Sequence, residues 1–167
     1  QPPSGDASSP ILRAVQLFQK LLRAAAAEAD RAAYLDADLA RLRFGSNHAT
    51  GEDKDTRYKA ALERLAAEAA GHEVEGRVLL SLAYVLHGEG DLVRAHELAR
   101  RIVARDPHTY AAAESENLIG QIEAKSARIE TEGVWDAAAE ITVHYRNVAQ
   151  VHFRAVPLEF ESYLRRS

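Results

Sequence analysis

Seven histidines stand in a chain of 167 residues that has no cysteine. Metal chemistry here would have to rest on imidazole and carboxylate, since thiolate sites need cysteine. The most suggestive pair is His144 and His152, within a stretch where apolar and polar residues alternate. A tight hairpin would make them cross-strand neighbours, with Cβ atoms about 5 Å apart. That supplies two ligands, but neither a third ligand nor a carboxylate stands at ligand spacing. Two histidines on the solvent side of a strand account for the pattern, and no metal ligand is assigned. His87 and His96 bracket a turn and read as surface groups.

Other reactive sets are equally sparse. Cysteine nucleophiles, thioesters and disulfides are excluded by composition. "GEG" at 88–90 is a turn and not a phosphate-cradling loop. Ser115 and Ser126 lie in no nucleophile motif, and Asp36, Asp38, Glu63, Glu114 and Glu116 show no acid–base or metal spacing. Arg94, Arg101 and Arg105 share one helical stripe with Arg100 beside it, a possible phosphate or acidic-partner patch. Asp91, Glu97 and Asp106 dilute it, and a solvated helix face explains it more simply. The expectation is a non-enzymatic chain with no catalytic, cofactor or metal residues. A formal charge of −4 gives no global drive toward nucleic acid or an anionic membrane. No apolar run approaches the roughly 18 residues of a membrane span, so direct membrane insertion is not expected.

The elements that would position any site are mostly helices. Residues 1–8, rich in Pro, Ser and Gly, read as a disordered lead-in. Ser9 and Pro10 suit an N-cap and a first helical turn. Ile11, Leu12, Val15, Phe18, Leu21 and Leu22 then recur at helical spacing, renewed by Leu35, Leu39 and Leu42. One helix over 10–44 would be unusually long, so two helices, or one bent near Asp30, are expected. "GSNHATGEDKD" (45–55) reads as a loop, with Asp53 or Asp55 capping the next helix. That helix carries Tyr58, Leu62 and Leu65 and ends at Gly71. A mostly buried helix over 74–87 follows, then a Gly88–Gly90 turn, a helix capped by Asp91 and ended at Pro107, and a last helix over 109–125.

Residues 76–109 have the size and punctuation of a helix–turn–helix repeat of about 34 residues. Leu82 and Ala83, the Gly90-Asp91 turn, Ala95 at the helix crossing and Pro107 resemble a tetratricopeptide repeat. Such repeats line a concave face with the first helix of each pair. Arg77, Ser81 and Asn117 are the candidate groove-lining residues for a protein or peptide partner, while Tyr84 and Tyr110 read as packing residues.

After Ser126 the period changes from that of a helix to that of a strand. Ile141, Val143 and Tyr145 alternate with polar residues, as do Val151, Phe153 and Ala155. A hairpin pairing Tyr145 with Val151, Val143 with Phe153 and Ile141 with Ala155 puts apolar partners on one face. The neighbourhood of Ile129 could add a third strand. The expected fold is mainly α, with tetratricopeptide-like hairpins over 9–125 and a β segment over 126–167, the start of a truncated β-sandwich.

The runs "YLDADLARLRF", "RYKAALERLA", "VLLSLAYVLHGEGDLVRAHELARRIVARDP", "AESENLIGQIEAKSARIETEGV" and "ITVHYRNVAQVHFRAV", in that order, resemble the N-terminal region of large bacterial alpha-2-macroglobulin-like proteins. The resemblance covers roughly residues 30–165 and contains no catalytic motif. It implies a helical repeat region ahead of the first macroglobulin-like β-sandwich, in an extracytoplasmic, periplasmic or cell-envelope protein related to protease inhibitors. The partners it implies are the downstream macroglobulin-like domains and a protein or peptide ligand. With Gln1 first and no methionine, the chain reads as a processed or excised piece. The rival reading is a free-standing cytoplasmic tetratricopeptide adaptor for a peptide.

Overall fold

The break in the first apolar stripe falls at Asp30. In the computed structural model, which describes residues 9–131 and 141–154, α1 (Pro10–Ala27) is followed directly by α2 (Arg31–His48). The Asp30 carboxylate accepts from the Ala33 N–H at 2.9 Å, satisfying a donor that the start of α2 would otherwise leave open. Ala29 takes the left-handed conformation at φ 55°, reversing the chain between the two helices. Two helices therefore form where the alanine run alone offers no breaker.

The segment expected as a loop from 45 to 55 is shorter than that. Residues 45–48 continue α2, and α3 (Lys54–Glu68) begins at Lys54. Ring contacts explain the extra turn: Phe44 lies 4.4 Å from His48 and 5.5 Å from Phe18 of α1, centroid to centroid. The packing holds the end of α2 through Gly45. Asp53 occupies the N-cap position of α3 without a side-chain cap bond.

Two positive-φ glycines punctuate the next units. Gly71 at φ 84° follows α3, and Gly90 at φ 83° separates α4 (Glu75–Gly88) from α5 (Leu92–Arg105). Asp91 caps α5, accepting from the Arg94 N–H at 3.3 Å. Thr109 caps α6 (Tyr110–Glu123), its hydroxyl accepting from the Ala112 N–H at 3.1 Å. Each helix from α1 to α4 packs on the one that follows it in sequence.

One apolar cluster runs through α2–α6, with Leu35, Leu39, Leu62, Leu65, Val78, Leu86 and Leu118 almost fully buried. Each such leucine contributes roughly 1.5–3 kcal/mol by leaving water. Ala83 on α4 and Ala95 and Ala99 on α5 are fully buried, and their small side chains let these helices approach closely. A second cluster of Leu79, Leu80, Ile102, Ala111 and Ala112 joins α4, α5 and α6.

The chain divides into two compact units, with the division between Ile122 and Glu123. Among the described residues, strands occur only in the second. They are β1 (Ser126–Thr131) and β2 (Ile141–Arg146), paired antiparallel as a hairpin. The protein is thus mainly helical, with a short β-hairpin toward its C-terminal end.

The pairing corrects the one expected from the sequence. Tyr145 opposes Ala127, Val143 opposes Ile129 and Ile141 opposes Thr131. Residues 151–154 form no strand, and Ala155 lies outside the described residues. The cause is local. Asn147 takes φ 55° and its side-chain amide donates to the Ala124 carbonyl at 3.2 Å, ending β2 and turning the chain away from a tight return. The segment around Ile129 has the same alternation, so it offers the same one-sided apolar pairing. The expected disordered lead-in over 1–8, and the remainder of the expected β segment over 155–167, also lie outside the described residues.

Candidate interaction surface

Three helices present polar side chains at helical repeats of about one and two turns. On α2 these are Asp36 and Arg43; on α4, Arg77, Ser81 and Tyr84; on α6, Tyr110, Glu114 and Asn117. Contacts between the stripes place α4 between α2 and α6. Arg77 pairs with Asp36, Arg43 reaches Ser81, and the Tyr84 hydroxyl donates to Glu114 at 3.0 Å.

The α2–α4 contact is the most closely knit. The Ser81 side chain is buried, and its hydroxyl donates to the Arg77 carbonyl one turn back at 2.9 Å. The same oxygen accepts from Arg43 Nη2 at 2.7 Å and Nε at 3.2 Å. Arg43 Nη2 also points at the Arg77 carbonyl, 3.5 Å away. Among the described residues, Arg43 thus hydrogen-bonds only neutral oxygens, and its charge still faces solvent. Arg77 is neutralised by Asp36.

Of the residues singled out from sequence, Arg77 and Ser81 meet in this network. Asn117 is exposed on α6 one turn beyond Glu114 and touches neither. Sequence reasoning missed Arg43, Asp36, Tyr84 and Glu114. The repeat pattern could have found the first two had α2 been taken as the first helix of a pair. Tyr84 and Tyr110, expected as packing residues, are 41% and 74% exposed. Both lie on the outward side of their helices, beside the small residues that make the α4–α6 contact. Partial burial, then the Glu114 carboxylate that accepts its hydrogen bond, raise the Tyr84 phenol above its ordinary 10.0, with Tyr110 adding a smaller push.

The arginine stripe of α5 is not simply solvated. Arg101 and Arg105 both pair with Glu75, whose side chain is almost wholly buried. Glu75 also accepts from the Gly71 N–H at 2.7 Å, and Arg105 donates to the His72 carbonyl at 2.9 Å. The cluster ties the α3–α4 turn to the end of α5. Arg94 pairs instead with Glu63 of α3, at 3.4 Å. A cleft of about 400 Å³ lies nearby, lined by Glu73, Arg105, Thr109 and Tyr110 among others.

The histidine pair does not assemble. His144 stands opposite Arg128 on β1, with Nε2 3.5 Å from a Glu130 oxygen, and His152 lies outside the strands. Among the described residues, no three His, Cys, Asp or Glu side chains gather as a metal ion would require. Ser115 is buried and its hydroxyl donates to the Ala111 carbonyl at 2.7 Å. Among the described residues, no helix is long and apolar enough to cross a membrane.

The α2–α4–α6 face therefore offers one under-neutralised guanidinium, exposed phenols, an amide and a carboxylate. These are groups that bind an extended polar chain. Comparison with known protein families, with curated proteins and with solved structures finds no match for this chain.

Proposed function

We propose that the helical unit is a non-enzymatic scaffold that binds an extended peptide or protein segment along α2, α4 and α6. The observation that carries this reading is Arg43, an arginine fixed by neutral acceptors at a helix seam and still open to a carboxylate. A guanidinium held in this way loses little further freedom on binding, and its charge-assisted bonds to a carboxylate are among the stronger ones. Arg77, Tyr84 and Asn117 would extend the contact along the face.

The setting we propose is the N-terminal region of a large extracytoplasmic alpha-2-macroglobulin-like protein. Support comes from the ordered runs of sequence that resemble that family and from the succession of a helical unit and a β segment. A leader for export and a long macroglobulin-like continuation in the parent gene would bear this placement out; a short gene without a leader would replace it with a cytoplasmic adaptor.

Panning a random peptide library against the full chain tests the binding role. Recovered peptides should carry a carboxylate and lose about tenfold in affinity, roughly 1.4 kcal/mol, on Arg43→Gln. Peptides that bind Arg43→Gln and Arg77→Gln as well as the parent would overturn it.

A further inference from the structure

Among the described residues, helix α1 has two apolar sides but packs on one helix only. Its packing partner is α2, and Ala25 is its only buried residue. The side chains Ala14, Leu17, Phe18 and Leu21 form, with Phe44 of α2, an open groove of about 480 Å³ whose walls are nearly all carbon. Leu17 is 65% exposed and Leu21 52%. Ala14, Leu17, Leu21 and Ala24 recur at alternating steps of three and four, the spacing of a coiled-coil seam. Leu17 and Leu21 are thus left open to solvent beside Phe44 of α2.

The charges of α1 say what fits there. Arg13, Lys20 and Arg23 are exposed, and no acidic residue occurs from Pro10 to Ala27. Lys20 and Arg13 flank the Leu17–Leu21 seam on the helical wheel. We infer that this groove docks an amphipathic helix of a partner protein, with leucine-like side chains in the groove and acidic residues on its flank. The Ala14 and Ala24 positions leave space for the partner's larger side chains, the helix-in-groove mode of recognition. A second copy of this chain fits poorly, because antiparallel pairing of α1 with itself sets one cationic flank against another and parallel pairing offers Arg13 and Lys20 no acidic side chain of α1. An anionic bilayer would meet the charges but would leave the concave groove between Leu17, Leu21 and Phe44 unfilled.

The test uses the full chain and a fluorescein-labelled synthetic helix of heptads, with leucine at a and d and glutamate at e and g. Anisotropy should show micromolar binding that weakens with salt. Leu17→Ser with Leu21→Ser should weaken it at least about tenfold. Arg13→Glu with Lys20→Glu should do the same and should restore binding to a peptide with lysine at e and g. These side chains are exposed, so circular dichroism should match the parent; Arg43→Gln should leave binding unchanged. The inference is overturned if both peptides bind alike or neither binds. It is equally overturned if the α1 variants bind normally, if sedimentation shows an α1-dependent homodimer, or if phosphatidylglycerol vesicles take up the chain while the glutamate peptide does not.

Discussion

The guanidinium of Arg43 on α2 is bound to the hydroxyl of Ser81 on α4, with Nη2 2.7 Å and Nε 3.2 Å from the same oxygen. The residues are 38 apart in sequence and join the first helices of successive pairs. The hydroxyl is saturated: it accepts twice and donates its proton to Arg77. This seam has two duties, holding α2 to α4 and fixing the orientation of a cation.

The two duties separate by mutation. Ser81→Ala should cost about 1–2 kcal/mol, since it removes a buried donor and the acceptor for a charged group. Arg43→Gln should cost less, because the arginine faces solvent. A double-mutant cycle in urea should return a coupling of about 1 kcal/mol. Additive losses would mean that the two side chains stabilise the fold independently.

Glu75 makes a larger prediction. Its buried carboxylate is bound by Arg101, Arg105 and the Gly71 N–H. Glu75→Ala should lower stability by about 3 kcal/mol, because several charge-assisted bonds and the fastening of the Gly71 turn go together. Arg101→Ala should cost at most about 1 kcal/mol, since that arginine is mostly in solvent and Arg105 remains. Equal effects in thermal melts would show that Glu75 is not the hub.

The helical unit was legible because its signals are local. Gly90 and Asp91 punctuate one turn, Asp30 caps one helix, and the Leu82–Ala83–Ala95 set carries the crossing within one repeat. The end of α2 was less legible, because Phe44 and His48 extend it through contacts that polar, glycine-containing sequence hides. The β partner was illegible for a definite reason. Both 126–131 and 151–156 alternate so as to match Ile141, Val143 and Tyr145, so alternation alone does not choose between them. Arg77 and Ser81 could be placed by repeat position alone. Arg43 could not, since its environment depends on how α2 stacks on α4.

Tyr84 offers a test by titration. Its phenol is raised above 10.0, by partial burial first and then by the bond to Glu114 and the negative charge there. The neutral phenol is the form the folded state favours, so its contribution is fully present below the unfolded value of 10.0 and is lost as pH rises through the higher folded value. Phenolate absorbance of the native chain should therefore show a component that ionises above pH 10 and is absent from Tyr84→Phe. Glu114→Gln should move that component down, because it removes the charge and leaves a weaker acceptor. Tyr58, also raised by burial but opposed by Arg43, is a further late component, and Arg43→Gln should move it up. If Glu114→Gln leaves the Tyr84 component in place, the hydroxyl does not donate to Glu114 in solution, and the α4–α6 contact is carried by the two apolar clusters alone.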